Sequence, residues 1–113
     1  GSGTWYIGMG GRVSATEADV VASVGAATFT NLRGYGNAAL GGSGTTCSFG
    51  VGTTVPLTYT SKPSVTITGT TPVADTSTTA STTAGQLVAI KCVNAATTAD
   101  RFFNLQIEKT ANS

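Results

Sequence analysis

Apolar and polar residues alternate one by one in several short stretches of this 113-residue chain. The alternation constrains the fold strongly, because only an extended strand turns successive side chains to opposite faces. Each stretch therefore predicts a strand with one buried face and one face in water. The clearest alternation falls in residues 46–51, 55–60, 65–68, 88–92 and 103–108.

Less regular alternation precedes these stretches, in residues 5–9, 19–24 and 27–35. No window has a convincing helical period, although Ser14 and Glu17 have the spacing of a capping box and allow a short helical turn. About eight short strands predict an all-β fold with little or no helix. The architecture we expect is an antiparallel β-sandwich or jelly roll.

The length of the chain fits one domain with one core, so we expect a single β-sandwich domain over residues 1–113. Its first eleven residues, GSGTWYIGMGG, combine glycines with three large apolar side chains in a row. Besides a strand of the sandwich, residues 1–11 therefore allow an extended N-terminal arm or a shaft-like segment.

Residues 70–85 read TTPVADTSTTASTTAG, and nine of these sixteen residues are Ser or Thr. Two of the clearest predicted strands follow, so we expect this stretch inside the domain, as a long loop or as a loop with an edge strand around 78–82. Hydroxyl groups donate and accept hydrogen bonds without a charge to desolvate. Thr76, Thr78 and Thr79 are therefore candidate contacts for a glycan or a neighbouring subunit, and the alternative is a solvated connection.

The two cysteines, Cys47 and Cys92, lie on the apolar faces of their predicted strands. One interpretation is a disulfide that ties two strands together, within or across the sandwich, as in extracellular proteins. The other is a pair of buried free thiols that pack as small apolar side chains. Redox catalysis is not expected, because neither cysteine has a Cys-x-x-Cys partner and the chain contains no His.

The composition argues against an enzyme. Without His there is no nucleophile–base pair of the usual kind, and five scattered acidic residues do not form a metal cage. We therefore expect no catalytic residue, no metal and no cofactor. A net charge of +1 predicts no nucleic-acid partner, and the absence of an apolar run of about 20 residues predicts no membrane insertion.

Three aromatic residues are candidate contacts with a ligand or partner: Trp5, Tyr6 and Tyr35. Aromatic faces stack on sugar rings and anchor protein interfaces. Packing in the core or in an interface is the alternative for all three. For a fourth aromatic residue, Tyr59, core packing is the favoured interpretation, because it lies on the same face of its predicted strand as Val55 and Leu57.

The order of segments resembles the C-terminal β-sandwich domains of bacteriophage tail and head fibres. The resemblance runs through VPLTYTSKPSVTITGT at 55–70 and GQLVAIKCVNAATTADRFFNLQIEK at 85–109, with Phe102 and Phe103 where that family often has Trp. It implies a homotrimer on the virion surface that binds a receptor or glycan. No receptor-contact residue can be transferred, because fibre tips vary in their binding loops.

A second hypothesis is a structural subunit of an extracellular filament, pilus or coat. The chain has 22 Thr and few charges, a composition common in proteins whose copies must pack without repulsion. Residues 1–11 would then leave their own domain and add a strand to a neighbour. Both hypotheses place the protein on a virion surface or otherwise outside the cell, in contact with copies of itself.

Overall fold

The protein folds as an all-β sandwich of two antiparallel sheets. The computed structural model describes residues 3–37, 44–94 and 103–111, and of Phe103 only the backbone. Within this part of the chain the single helical element is a 3₁₀ turn at Glu17–Asp19, which follows the predicted capping box. The predicted fold class is therefore confirmed.

The described residues form ten strands in the two sheets, and four of these strands are only two or three residues long. They are β1 Gly3–Ile7, β2 Val13–Ser14, β3 Ala22–Ser23, β4 Ala27–Gly36, β5 Thr45–Gly52, β6 Ser64–Ile67, β7 Val73–Asp75, β8 Ala80–Thr82, β9 Leu87–Asn94 and β10 Phe103–Ala111.

Sheet A has the order β2-β1-β9-β5-β6, and β3 pairs with β9 beside β1. Sheet B has the order β10-β4-β7, and β8 pairs with β4 beside β7. Four of the five clearest alternating stretches became β5, β6, β9 and β10. Their alternation predicted strands correctly because each of these strands buries one face in the sandwich.

The prediction of a strand over 55–60 is wrong. Residues 53–63, here called the strap, cross the outer face of sheet A. They hydrogen-bond to β5 through Thr58, which pairs with Val51, and through the Pro63 carbonyl, which accepts the Phe49 N–H at 2.8 Å. Leu57 is buried and Tyr59 is half-buried against that face. Alternate side chains of the strap thus pack on the sheet although the strap is not a strand of it. Alternation of apolar and polar residues therefore indicates alternate burial of side chains, whether or not the backbone is paired in a sheet.

The alternation over 27–35 is irregular because β4 contains a bulge. Gln106 pairs with Arg33 but Glu108 pairs with Thr30, so two residues of β4 lie opposite one residue of β10. The extra residue is Asn31, whose φ of 55° lies in the left-handed region that Asn tolerates. The bulge therefore changes which residues of β4 face the core: odd-numbered residues before it and even-numbered residues after it.

The main core lies between the sheets. Phe29 of β4 and Phe49 of β5 meet there with ring centroids 4.6 Å apart, and Leu32 and Ile67 are fully buried beside them. A second cluster fills the space between sheet A and the strap. It contains Val20, Leu57 and Ala89, with Tyr6, Val21, Tyr59 and Leu87 packed around them.

Cys47 and Cys92 form a disulfide, as one of the two interpretations predicted. They are direct partners on neighbouring strands β5 and β9, with Cα atoms 4.1 Å apart, and both are buried. The bond therefore lies within sheet A and does not cross the sandwich. Disulfides form and persist in oxidising compartments, so the bond is typical of a protein outside the cytosol.

Candidate functional site

The two sheets end at different places on the side where β10 forms the edge of sheet B. One row of cross-strand partners shows this: Phe49, Ile90, Ile7 and Val13 lie on successive strands and share the inner face of sheet A. Phe49 is 0% exposed and Ile90 5%, Ile7 is half-buried, and Val13 is 59% exposed. Residues 3–14 form β1, β2 and their turn. Strand β1 packs against the main core through Trp5 and Ile7, and β2 projects beyond sheet B. We call this hairpin the overhang.

An apolar groove of about 610 Å³ lies between the overhang and β10. Its sides come from both sheets, so the groove is an extension of the core into solvent. The apolar side chains that line it are Ile7, Met9, Val24 and Ile90 around sheet A, and Phe29, Leu105 and Ile107 from sheet B.

The strand that borders the groove has one free edge. The nine-residue β10 pairs with β4 on one side, and no strand among the described residues pairs with its other side. An edge strand presents a row of unpaired backbone donors and acceptors to any neighbouring strand. The groove therefore combines apolar side chains with backbone hydrogen-bonding groups, as sites for an added protein element do.

The turn of the overhang is held close to the body of the sandwich. Gly8 N–H donates to the Arg12 carbonyl at 2.8 Å, and Gly11 N–H donates to the Gly8 carbonyl at 2.9 Å. A side chain at Gly8 would come within 2.7 Å of the Val20 carbonyl oxygen, so this position requires glycine. Met9, at the tip, is 38% exposed beside the groove.

The charged residues at the groove are mainly cationic. Arg33 and Lys109 line it, and Arg33 forms a half-exposed ion pair with Glu108 at 3.4 Å. An exposed ion pair stabilises by at most about 1 kcal/mol, so its main effect here is to neutralise Arg33. An occupant of the groove would meet a mostly apolar surface and the positive charge of Lys109.

The opposite edge of the sandwich is closed by Asp75 of β7. Its carboxylate accepts hydrogen bonds from the N–H groups of Ser64 in sheet A at 3.0 Å, Thr78 at 3.0 Å and Ser77 at 3.2 Å. Desolvation alone would raise the pKa of this carboxyl, but these hydrogen bonds outweigh it and hold the pKa below its usual value. The two edges of the sandwich are thus different: Asp75 joins the sheets at one edge, and the groove lies at the β10 edge.

Two of the predicted aromatic contacts are engaged in packing. Trp5 lies opposite Cys92 on the inner face of sheet A and packs against the main core. Tyr6 lies on the outer face, with its ring 6.4 Å from that of Tyr59 in the cluster beneath the strap. Both are half-buried, so their rings contribute to the fold of this domain.

Tyr59 is confined on several sides. A side chain at Gly50 would overlap its ring, Lys91 Nζ lies 5.5 Å from the ring centroid, and the phenol hydroxyl donates to the Glu17 carboxylate. Burial, followed by this hydrogen bond, raises the pKa of the Tyr59 phenol well above its usual range. Glu17 also accepts the Leu57 N–H at 3.2 Å and so links the strap to the 3₁₀ turn.

Tyr35 occupies a different position from the other two aromatic candidates. It lies on the outer face of sheet B opposite Asn104, and it is 42% exposed. Its ring is thus accessible to a ligand or partner on a face whose neighbours Arg33 and Gln106 are polar.

The threonine candidates lie along the far edge of sheet B from the groove, in the connection between β7 and β8. Thr76 and Thr79 are exposed, whereas Thr78 is half-buried and donates its N–H to Asp75. The structure therefore does not bring these residues together with Trp5 and Tyr6 in one site. Met9, which lines the groove, and Val13, which is exposed on the neighbouring strand β2, were not among the predicted contacts, because sequence alternation cannot show that one sheet is wider than the other.

Comparisons with known proteins add no assignment: no family model, no curated protein and no solved structure matches the chain. The resemblance to phage fibres therefore stays a prediction. Among the described residues, no three side chains of the metal-ligating types are grouped and no helix is long and apolar enough to cross a membrane.

Proposed function

We propose that this chain is a non-enzymatic structural domain of an extracellular or virion-surface assembly, and that it associates with copies of itself through the groove edge. The single observation that carries the proposal is the exposure of two apolar residues of the overhang, Met9 at its tip and Val13 on β2, beside the free edge of β10. Soluble domains seldom leave apolar residues that continue their core in contact with water, and such surfaces are typical of interaction sites.

Two further features support self-association outside the cytosol. The disulfide between β5 and β9 fits an oxidising environment. A net charge of +1 means that copies of the chain repel one another only weakly, so close packing costs little electrostatic free energy.

Within this proposal, the packing of β1 favours association of folded domains over release of an arm. Trp5 and Ile7 pack against the core of their own domain, and β1 has five register pairs with β9. Release of residues 1–11 would uncover that core. Deleting residues 1–11 would consequently damage the fold as well as the assembly, so this deletion cannot distinguish the two modes of association.

A receptor- or glycan-binding role, as in a fibre, is the second candidate. It is favoured by the exposed ring of Tyr35 on the outer face of sheet B. Tyr35 itself does not line the groove, so one domain could join an assembly through its edge and bind a ligand through Tyr35.

The self-association can be tested with a matched pair of substitutions. Val13→Lys places a charge at the groove edge, and Val55→Lys places the same charge on the strap, where the valine is 41% exposed. We expect the unmodified protein to exceed its monomer mass of 11.2 kDa as its concentration rises, measured by sedimentation equilibrium. Val13→Lys should weaken association at least about tenfold, the effect of about 1.4 kcal/mol, whereas Val55→Lys should not.

A monomer at all concentrations, or equal behaviour of the two variants, would contradict association through this edge. Circular dichroism and thermal unfolding of both variants check that each remains folded, since both positions are exposed and the substitutions should cost little stability.

A further inference from the structure

We propose that two copies interlock about a twofold axis parallel to the strands, so that the overhang of each copy fills the groove of the other. This inference rests on the proposed function and specifies its geometry. It follows from the stepped shape of the edge, from the chemistry of the groove and from the area available.

The stepped edge excludes the simplest twofold pairing. An axis perpendicular to the sheets would align β10 with β10 of the second copy in one continuous sheet. It would also leave both overhangs in the same layer, because sheet A of each copy extends beyond β10. Each overhang would then collide with the β9 region of the other copy.

An axis parallel to the strands exchanges the two layers. The overhang of sheet A in one copy then enters the layer of sheet B in the other, next to β10, where the described residues place no further strand. The projecting overhang that causes a collision in the first arrangement fits the second one. In each copy the overhang and the space beside β10 belong to the same edge, so each overhang can fill the space of the other copy. A twofold contact requires this self-complementarity of one surface patch.

The chemistry of the two surfaces agrees with this arrangement. Val13 and Ile7 of the overhang would face the groove formed around Leu105 and Ile107, apolar surface against apolar surface. The overhang carries a single charged residue, Arg12, which is exposed at the turn. Insertion therefore requires little desolvation of charge on either side.

The available area is sufficient for a specific dimer. Nine residues of β10 extend about 30 Å at roughly 3.4 Å per residue. The edge of a two-layer sandwich is about 20 Å high, from sheets about 10 Å apart and their side chains. Contact along it would bury roughly 600 Å² per copy and about 1,200 Å² in total, the lower end of the range for specific interfaces.

The experiment combines a measurement of the mass of the protein in solution with site-specific crosslinking. Rotation about an axis parallel to the strands keeps each residue at its own height along the strand, so the two Val13 residues lie at the same height on either side of the axis. We expect V13C to be crosslinked into dimers by a short bismaleimide reagent, and V55C at the same concentration not to be. The native cysteines are bonded to each other and do not compete. Sedimentation equilibrium of the unmodified protein should reach a plateau at twice the monomer mass.

Backbone amide exchange gives an independent measurement on the unmodified protein. Amides of β10 should exchange at least about tenfold more slowly in the dimer than in dilute monomer, because its free edge is covered. Amides of β6, at the closed edge, should not change.

Each other outcome has a distinct meaning. Trimers or open polymers that are sensitive to V13K would overturn the interlock and leave the proposed self-association standing. Dimers whose V13C form is not crosslinked and whose β10 amides are not protected would also overturn it. A protein that stays monomeric overturns both proposals.

Discussion

Asp75 shows how much of this fold depends on one side chain. It lies in the Ser/Thr-rich stretch 70–85, and it is the only charged residue between Lys62 and Lys91. In the structure its carboxylate gathers backbone N–H groups from β6 and from the turn that follows β7. A single carboxylate thereby joins the two sheets at the closed edge and shapes the turn.

Asp75→Asn should destabilise the protein by about 1–2 kcal/mol at pH 7, because hydrogen bonds to a charged acceptor are stronger than those to a neutral one. Urea unfolding measures the effect. Asp19→Asn is the matched control, since Asp19 accepts only an exposed hydrogen bond from the Ser14 hydroxyl at 2.9 Å among the bonds seen here. The control should change stability by less than about 0.5 kcal/mol, and equal effects would contradict the role of Asp75.

The same carboxylate predicts a pH dependence with a definite sign. Its pKa in the folded protein is lowered, whereas in the unfolded chain it is near 3.9. The stability it contributes is therefore complete well above pH 4 and is lost as the pH falls below about 4 through the folded pKa. The difference in unfolding free energy between the unmodified protein and Asp75→Asn should shrink in that range, and a constant difference down to about pH 2 would argue against this assignment.

At the scale of elements, the Ser/Thr-rich stretch is divided between structure and surface. The two strands β7 and β8 both pair with β4, and residues 76–79 connect them. Ala80 and Thr82 of β8 are buried although neither is a large apolar residue. Small side chains suffice at this edge because the strand completes a core that β4 and β5 already fill.

Thr82→Ala should therefore cost about 1–2 kcal/mol. The buried Thr82 hydroxyl donates to the Gly25 carbonyl at 2.8 Å, and the substitution leaves that acceptor without its partner. The exposed Thr79→Ala should stay within about 0.5 kcal/mol of the unmodified protein. Thermal unfolding of the two variants compares them directly, and a larger loss for Thr79→Ala would show that the connection has a structural role not seen here.

The link between β5 and β9 is covalent as well as hydrogen-bonded. Intact mass after alkylation without reduction should show no modified thiol, and alkylation after reduction should show two. Replacing both Cys47 and Cys92 by Ala should lower the unfolding free energy by roughly 4 kcal/mol, since the bond closes a long loop with a sequence separation of 45. Two thiols that react in the unreduced, denatured protein would contradict the bond.

The whole molecule is an asymmetric sandwich with one closed edge and one stepped edge. The closed edge is held by Asp75 and the stepped edge exposes the overhang and groove. The near-neutral charge and the apolar groove together determine how association should respond to solution conditions.

Association through the groove should depend weakly on ionic strength. Between about 0.05 and 0.5 M NaCl we expect the dissociation constant to change less than about threefold, because few charges would meet across the contact. Sulfate should tighten association by strengthening the burial of apolar surface. Sedimentation equilibrium in the two salts measures both effects, and strong weakening by NaCl would indicate a contact made through charges instead.

The alternation of residues was enough to predict the all-β class, the sandwich and the strands β5, β6, β9 and β10. These follow from local physics, because a strand between a core and water must alternate whatever its neighbours are. The inward positions of Cys47 and Cys92 could be predicted for the same reason. Alternate residues of any strand face the same side, and this depends only on the backbone of that strand.

Only the tertiary structure decided which strands are neighbours and where each sheet ends. The strap alternates like a strand but packs over sheet A, and the bulge at Asn31 reverses the parity of β4. Val13 has the polarity of a core residue and is exposed because no strand of sheet B among the described residues covers it. Such outcomes depend on contacts between distant segments, and local sequence does not encode the width of a sheet.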